Sequence, residues 1–194
     1  MPLIKQYPTG PPAGYPVDLE EEIRLASGEI LWIRPVVPAD AAILAAEFAA
    51  ADEETLYARF FSRSFDLTED RLRYLTELDY TTHLALAVMT VDGDESDGVA
   101  IGRYAARTPT DVEAAIVVKP EYRRFGIARI LVERLAAAAF AAGRSTMSAS
   151  YLTDNAAAAR LLDRTGFSGG TLEGGAVAEV SRRLSGDPAT IGSA

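Results

Sequence analysis

The sequence predicts a single α/β domain built around a mixed sheet. A chain of 194 residues, 48% of them hydrophobic and 24% charged, is long enough to bury one sizeable core. Segments of strand character stand on both sides of a long alanine-rich helical segment, and further helical patterns occur before and after them. Strands that bracket a helix in this order are typical of a mixed α/β sheet with helices packed on it.

The chain is predicted to begin with an arm and a hairpin. Prolines and glycines are dense in residues 1–17, which disfavours regular structure and predicts a flexible arm. Residues 23–25 alternate between apolar and polar, a Ser-Gly turn follows at 27–28, and residues 30–33 resume strand character. Pro35 ends this predicted hairpin.

Helices and strands are then expected to alternate. Asp40 is placed to cap a helix that continues to about residue 51, and shorter helices are predicted at 56–61 and 69–78. Apolar strands are predicted at residues 84–89, 99–105 and 113–118.

The second half of the chain predicts two more strand and helix pairs. The helix from residue 127 to about residue 142 ends at Gly143, a residue suited to a left-handed cap. A strand over residues 146–152 follows, and Asn155 can cap a helix that stops at Gly166. The last predicted segments are a strand at 176–184 and a flexible tail at 185–194.

Composition excludes several classes of function. The chain has no cysteine and one histidine, so a cysteine zinc site and a histidine metal cluster are impossible, and we expect no metal. The net charge of −9 opposes nucleic-acid binding. No apolar run approaches a membrane span and no signal peptide stands at the start, so we expect no membrane partner and a cytoplasmic location. The lone His83 precedes an apolar strand and is expected to be structural.

An arginine- and glycine-containing turn joins the strand at 113–118 to the long helix. The first N–H groups of a helix lack partners within it, and the helix dipole makes that end electropositive, so a bound anion satisfies both. A glycine at 126 allows close backbone approach to a phosphate. The alternative is an ordinary strand-to-helix turn with solvated arginines, because this turn matches neither a Rossmann nor a Walker pattern.

The turn also resembles a known motif. Residues 123–128, Arg-Arg-Phe-Gly-Ile-Ala, are similar to the Arg/Gln-x-x-Gly-x-Gly/Ala acyl-CoA pyrophosphate loop of the GNAT superfamily of N-acetyltransferases. The Asn-x-x-Ala-x-x-Leu run that begins at Asn155, with its Gly-Phe pair at 166–167, resembles the second GNAT block. Residues 33–41 resemble the opening of many GNAT domains. Arg-Phe-Phe at 59–61 and Leu-Asp-Tyr at 78–80 resemble the branch of Pat-type bacterial protein lysine acetyltransferases.

The resemblance implies a GNAT-like mixed, mostly antiparallel twisted sheet with helices on both faces, in an N-acetyltransferase domain over residues 18–184. It implies that acetyl-CoA is the cosubstrate. Its pantetheine would pair with backbone groups of Val117 and Val118, its pyrophosphate would lie on N–H groups of residues 124–128, and Asn155 would be a helix cap, a pantetheine contact or both. The complete expected set is Val117, Val118, Arg123, Arg124, Phe125, Gly126, Ile127, Ala128, Arg129 and Asn155.

Direct acyl transfer to an amine needs a base, because a free lysine is mostly protonated at neutral pH. Glu113 matches the glutamate at this place in the Pat-type pattern, and its apolar neighbours are expected to desolvate it partly. Many GNAT enzymes carry a tyrosine acid where this chain has Leu162, and Tyr151 is a candidate substitute. The expected acceptor is a protein lysine. A small-molecule amine, or a non-catalytic acyl-CoA sensor with no acceptor, remain alternatives.

Overall fold

The computed structural model describes residues 11–53, 57, 66–90, 97–173 and 176–185, and within them eight strands form one sheet. The strands are β1 (Glu21–Arg24), β2 (Ile30–Pro35), β3 (His83–Thr90), β4 (Gly98–Ala106), β5 (Asp111–Val118), β6 (Thr146–Leu152), β7 (Ser168–Glu173) and β8 (Val177–Arg183). Their order is β1-β2-β3-β4-β5-β6-β8-β7, and β5 with β6 is the parallel pair among antiparallel neighbours. The predicted mixed, mostly antiparallel sheet is confirmed.

Helices cover both faces of this sheet. The described α-helices longer than one turn are α1 (Ala41–Ala50), α2 (Glu69–Thr76), α3 (Ile127–Ala141) and α4 (Ala156–Arg164). Successive strand residues point to opposite faces. In β3, Leu84 and Leu86 therefore face the core under α3, whereas Ala85 and Ala87 face the α1 side together with Val36.

The close approach of α3 to the sheet depends on a glycine. A Cβ on Gly102 of β4 would lie 3.1 Å from Leu135 Cδ1 and 3.3 Å from Leu131 Cβ. Both leucines are fully buried, so they have little room to move. Gly102 thus lets the main helix lie directly on the strand that precedes the candidate site.

The sequence placed most boundaries within a few residues, with one correction in the role of Asp40. It stands before α1 as predicted, but its side chain makes no cap hydrogen bond to that helix. Its carboxylate instead accepts hydrogen bonds from Val37 N, at 2.8 Å, and from both Nη atoms of the buried Arg34. The carboxylate is therefore used to neutralise a buried guanidinium at the end of β2.

Strand β7 was absent from the sequence prediction, and it begins with a Ser-Gly-Gly run that has weak strand propensity. The predicted helix at 56–61 lies almost entirely outside the described residues. The predicted arm and tail boundaries stay predictions, although Tyr15 already packs edge-on against Tyr80 at 5.8 Å between ring centroids. None of the helices described is long and apolar enough to cross a bilayer.

Candidate active site

The central feature of the site is a gap that opens between two neighbouring strands. The parallel ladder of β5 and β6 runs from the pair Asp111 and Thr146 to the pair Ala114 and Ala149. Beyond that point β5 stays paired with β4 up to Val118, and β6 stays paired with β8. The two strands therefore part in the middle of the sheet and leave strand-edge backbone facing the gap.

The hydrogen-bond phase of β5 determines which peptide groups face the gap. Lys119 N donates to Val99 O of β4 at 3.0 Å, so the odd-numbered residues of β5 turn their peptide groups toward β4. Thr146 N donates to Thr110 O at 3.2 Å, so the even-numbered residues face β6. Of the predicted pair, Val118 faces the gap whereas Val117 faces β4. The second gap-facing residue is Ile116.

The turn after β5 exposes a series of backbone donors. Arg124 and Gly126 both have left-handed backbone conformations, with φ of 69° and 84°. Gly126 is the N-cap of α3, and Ile130 N is the first to bond back, to Gly126 O at 3.1 Å. Apart from its chain neighbours and the adjoining helix backbone, no heavy atom of the described residues lies within 4 Å of a Cβ built on Gly126. The N–H groups at the start of α3 thus face open space, the arrangement that binds anions.

The side chains of the predicted loop residues divide into three groups. Ile127 is buried in the core, so only its backbone can reach a ligand. Arg123 donates through Nε to Val118 O at 3.3 Å, which ties the turn to the end of β5. Arg124, Phe125 and Arg129 are exposed, and Ala128 is half-buried.

Asn155 acts as a helix cap. Its Oδ1 accepts a hydrogen bond from Ala158 N at 3.0 Å at the start of α4. Leu162 is buried in the core, and Tyr151 packs against the same core cluster. Tyr151 and Glu113 lie on opposite faces of the sheet. Ser148 pairs with Glu113 and shares its face, whereas Tyr151, like Met147 and Ala149, is an odd-numbered residue of β6 and points to the other face.

Glu113 stands one residue before the point where the strands separate. Its side chain is exposed, and Ser150 Oγ lies 3.5 Å from its Oε1. Ala114 and Ile116 point to the opposite face of the sheet, so these two apolar neighbours do not cover the side chain of Glu113. Glu113 is therefore solvent-accessible on the face that α3 leaves open.

Further charged residues share that face with Glu113. Arg107 Nη1 donates to Glu179 Oε1 at 2.8 Å and lies 3.4 Å from Ser148 Oγ. The hydrogen bond and charge of Glu179, with smaller contributions from Glu113 and Asp111, raise the pKa of Arg107. Burial, together with the charge of Glu179, raises the pKa of Asp111 although Arg107 opposes the shift. We name Arg107, Asp111, Glu113 and Glu179 the charged cluster.

Sequence reasoning missed three members of the charged cluster. Arg107 and Glu179 are 72 positions apart, and only the sheet order places them together. A partial signal was available, because Ser150 and Glu179 lie opposite each other on one face of the sheet once β6 and β8 are paired.

A cavity of about 460 Å³ lies beside the gap on the α1 side of the sheet. Its walls include Ile43 and Phe48 of α1, Ile101 of β4 and Val117 of β5. Lys119 and Glu47 form an ion pair at 2.9 Å among its lining residues. The end of β5 at Val117 thus borders an apolar space that is open to a substrate.

His83 is buried next to this cavity, and its contacts are those of a structural residue. Its Nε2 lies 3.3 Å from Nη1 of the buried Arg103, and its ring lies 4.6 Å from that of Tyr74. Burial and the charge of Arg103 lower the pKa of His83 to about 4 despite the opposing charge of Asp79. The imidazole is therefore neutral at physiological pH and can accept a hydrogen bond from Arg103.

Comparison with known proteins agrees with this architecture. The sequence model of the acetyltransferase (GNAT) family matches residues 47–167. Acetyltransferase Pat of Mycolicibacterium smegmatis is 33% identical over 146 residues, which are 74% of this chain and 43% of that protein. The chain thus spans less than half the length of this relative.

Solved structures show the same fold. The GNAT domain of S. lividans PAT superposes with a TM-score of 0.77 at 25% identity, covering 88% of this chain and 99% of that domain. The protein yncA of Salmonella typhimurium, solved with its cofactor acetyl-CoA, has a TM-score of 0.64 at 19% identity, covering 80% of this chain and 94% of yncA. Together with the match of the family model to more than half of its residues, these similarities show that the chain belongs to the GNAT family of acetyltransferases.

Proposed function

We propose that this chain transfers an acetyl group from acetyl-CoA to an amine, and that the acceptor is a lysine side chain of a protein. The observation that carries the proposal is the gap between β5 and β6. It has strand-edge peptide groups along one side, the N-terminus of α3 at one end and Glu113 at the other. These are the parts that an elongated anionic thioester and an amine require.

In this proposal the cosubstrate lies along β5. The N–H groups of residues 124–128 hold the pyrophosphate, and Ile116 and Val118 pair with the pantetheine amides as an added strand would. From Val118 to Ala114 the strand advances about 13 Å, at roughly 3.3 Å per residue. The pyrophosphate end and the reacting end of the cosubstrate would therefore lie at opposite ends of the gap.

Transfer needs a base to deprotonate the amine before it attacks. The carboxylate of Glu113 takes a proton from the acceptor ammonium, and the freed nitrogen attacks the thioester carbonyl carbon. The new C–N bond forms, the nitrogen gives up its second proton, and the C–S bond breaks with its electron pair leaving on sulfur, which takes that proton by way of solvent. Because a thiol has a pKa near 8.5, the thiolate leaves with little assistance, so the buried Leu162 at the usual tyrosine position is compatible with turnover.

The surroundings of Glu113 favour a protein acceptor. The charged cluster holds three carboxylates and one guanidinium, so its field attracts a cationic amine. Glu113 is exposed on an open face, which admits a lysine presented on a large molecule. The sequence similarity to acetyltransferase Pat supports the same reading. That the reaction needs no metal stays a prediction.

The test combines one substitution with an acceptor screen. Replacing Glu113 by Gln keeps the size of the side chain but removes its ability to accept a proton at neutral pH. We expect kcat to fall by roughly 100- to 10,000-fold with little change in acetyl-CoA affinity, and the loss should shrink at high pH, where the amine is already deprotonated. Glu22→Gln, at an exposed position on the outer strand β1, is the matched control and should leave kcat unchanged.

The acceptor screen compares a library of lysine peptides with a panel of small amines, by mass spectrometry. Preferential acetylation of small amines would overturn the protein-lysine assignment. Tight acetyl-CoA binding without transfer to any acceptor would overturn catalysis and indicate a binding module instead.

A further inference from the structure

Ser150 places a hydroxyl group at the point where β5 and β6 begin to part. The ladder between these strands ends with the pair Ala114 and Ala149, and Ser150 is the next residue of β6. Ser148 pairs with Glu113, so Ser150, two residues further along the strand, has its side chain on the face of Glu113. Its Oγ donates a hydrogen bond to Glu113 Oε1 at 3.5 Å. Catalytic hydrogen bonds are often long before substrates bind and shorten in the complex.

Three other side chains near the gap are less suited to give a proton to the leaving sulfur. Leu162 has no acidic hydrogen and is buried in the core. Tyr151 points to the opposite face of the sheet, where it packs against the hydrophobic core. The hydroxyl of Ser148 donates to Val112 O at 3.3 Å, on the paired part of β6. Ser150 combines the correct face with a position at the gap.

The direction of the hydrogen bond between Ser150 and Glu113 depends on the protonation of the carboxylate. An ionised carboxylate has no hydrogen to donate, so Ser150 is the donor before the reaction. Once Glu113 has taken a proton from the acceptor amine, the carboxyl group can donate to Ser150 Oγ instead. The hydrogen of Ser150 is then free to turn to a new acceptor. The sulfur of the thioester is such an acceptor, because the thioester must lie beside the amine that Glu113 deprotonates.

We propose that Ser150 is a catalytic residue that passes a proton from Glu113 to the leaving sulfur. As the C–S bond breaks and its electron pair moves to sulfur, the Ser150 hydroxyl gives its hydrogen to sulfur, and Oγ takes the proton that Glu113 carries. Glu113 is then ionised and Ser150 neutral, as at the start, and the second proton of the nitrogen goes to solvent. Sulfur thus receives directly a proton that it would otherwise take by way of solvent. This inference rests on the proposed function.

The expected contribution of Ser150 to the rate is modest, because a thiolate leaves readily. Ser150→Ala should lower kcat by roughly tenfold, less than positioned acid-base help usually supplies, since the thiol has a pKa near 8.5. The Kd for acetyl-CoA should stay near the wild-type value. Ser148→Ala, on the same strand and the same face, is the matched control and should leave kcat unchanged.

A binding measurement tests the contact between Ser150 and sulfur without any turnover. Calorimetry at pH 9, where the thiol is mostly ionised, compares CoA with desulfo-CoA, which lacks the sulfur atom. Ser150→Ala should weaken the binding of CoA by roughly 3- to 10-fold, the value of one hydrogen bond, and should leave the affinity for desulfo-CoA unchanged. Ser148→Ala should change neither affinity. Thermal denaturation checks that each variant is folded.

Wild-type kcat in S150A would overturn the role of Ser150 and leave the proposed function intact. An unchanged ratio of the CoA and desulfo-CoA affinities in S150A would do the same, because it would show that the hydroxyl does not reach the sulfur. Wild-type turnover in Glu113→Gln would overturn the proposed base, and this inference with it.

Discussion

At the residue scale, His83 provides a stability effect with a defined pH window. Its pKa in the native state is about 4, lowered from its ordinary 6.5 by burial first and then by Arg103. Between these values the unfolded chain binds a proton that the native protein does not. The stability that His83 contributes is therefore fully present above pH 6.5 and is lost as the pH falls to 4.

The expected loss is on the order of 3 kcal/mol across that window. His83→Gln cannot titrate there and still offers an acceptor oxygen to Arg103, so it should lack this pH dependence. Urea unfolding of both proteins from pH 7.5 to 4 measures the difference. Parallel stability profiles would show that the histidine is not held neutral in the native state. Asp79 titrates below this window, because hydrogen bonds from Thr82 and neighbouring N–H groups outweigh its burial and lower its pKa.

The two ends of α3 give a second test at single residues, because each carries a glycine with a left-handed backbone. Gly126 has φ of 84° and Gly143 has φ of 80°, and a Cβ at either position meets no atom of the described residues within 4 Å beyond its chain neighbours and the adjoining helix backbone. Alanine at either site should lower the free energy of unfolding by about 1 kcal/mol, the strain of a left-handed alanine.

Only Gly126→Ala should weaken acetyl-CoA binding, because its methyl group enters the space in front of the helix N-terminus. Calorimetry on both variants separates the backbone strain from the loss of the anion site. Equal affinities in G126A and G143A would exclude the turn as the pyrophosphate site.

Some residues of the candidate site could be predicted from the sequence and others could not, for physical reasons. Gly126 was recognisable because a glycine before an apolar helix has a local meaning. The sequence could not show that Val118 faces the gap and Val117 does not. The side-chain pattern of a strand carries no information on which neighbouring strand each peptide group bonds to. Arg107 and Glu179 were missed because their contact depends on the order of strands in the sheet.

At the scale of elements, the packing of α3 on β4 depends on Gly102. Gly102→Ala should lower the free energy of unfolding by about 1 kcal/mol, because the new methyl group is 3.1 Å from Leu135 and the buried leucines must shift. Gly98→Ala, on the same strand, places its methyl group 3.7 Å from the nearest atom, a side-chain oxygen of Glu47, and should change stability by less than about 0.5 kcal/mol. Denaturant unfolding measures the stability of both variants. Equal stabilities would show that α3 has enough room above β4 to accept the extra methyl group.

The sequence also located most elements. Long periodic segments such as α3 and apolar strands such as β3 were predictable, since each is defined by its own pattern. Strand β7 was not, because its Ser-Gly-Gly start is held in the sheet by pairing with β8 and not by its own propensity.

At the scale of the whole molecule, acetyl-CoA should couple binding to folding. A ligand that binds only the native state at 100 times its Kd adds about 2.7 kcal/mol of stability. For a chain of this size that raises Tm by roughly 5 to 10 °C. Differential scanning calorimetry with and without acetyl-CoA measures the shift, and Gly126→Val, which should bind poorly, is the control. A Tm independent of acetyl-CoA in the wild type would argue against the cosubstrate.

The position of β8 inside the sheet also fixes an order of assembly. β7 pairs with β8, and β8 pairs in addition with β6, so β7 has no route into the sheet except through a strand that is synthesised after it. At this edge the strands must therefore join the sheet in the reverse of their order along the chain, with β8 in place before β7. In pulsed hydrogen exchange during refolding, the amides of β7 should become protected together with those of β8 or after them, and never before.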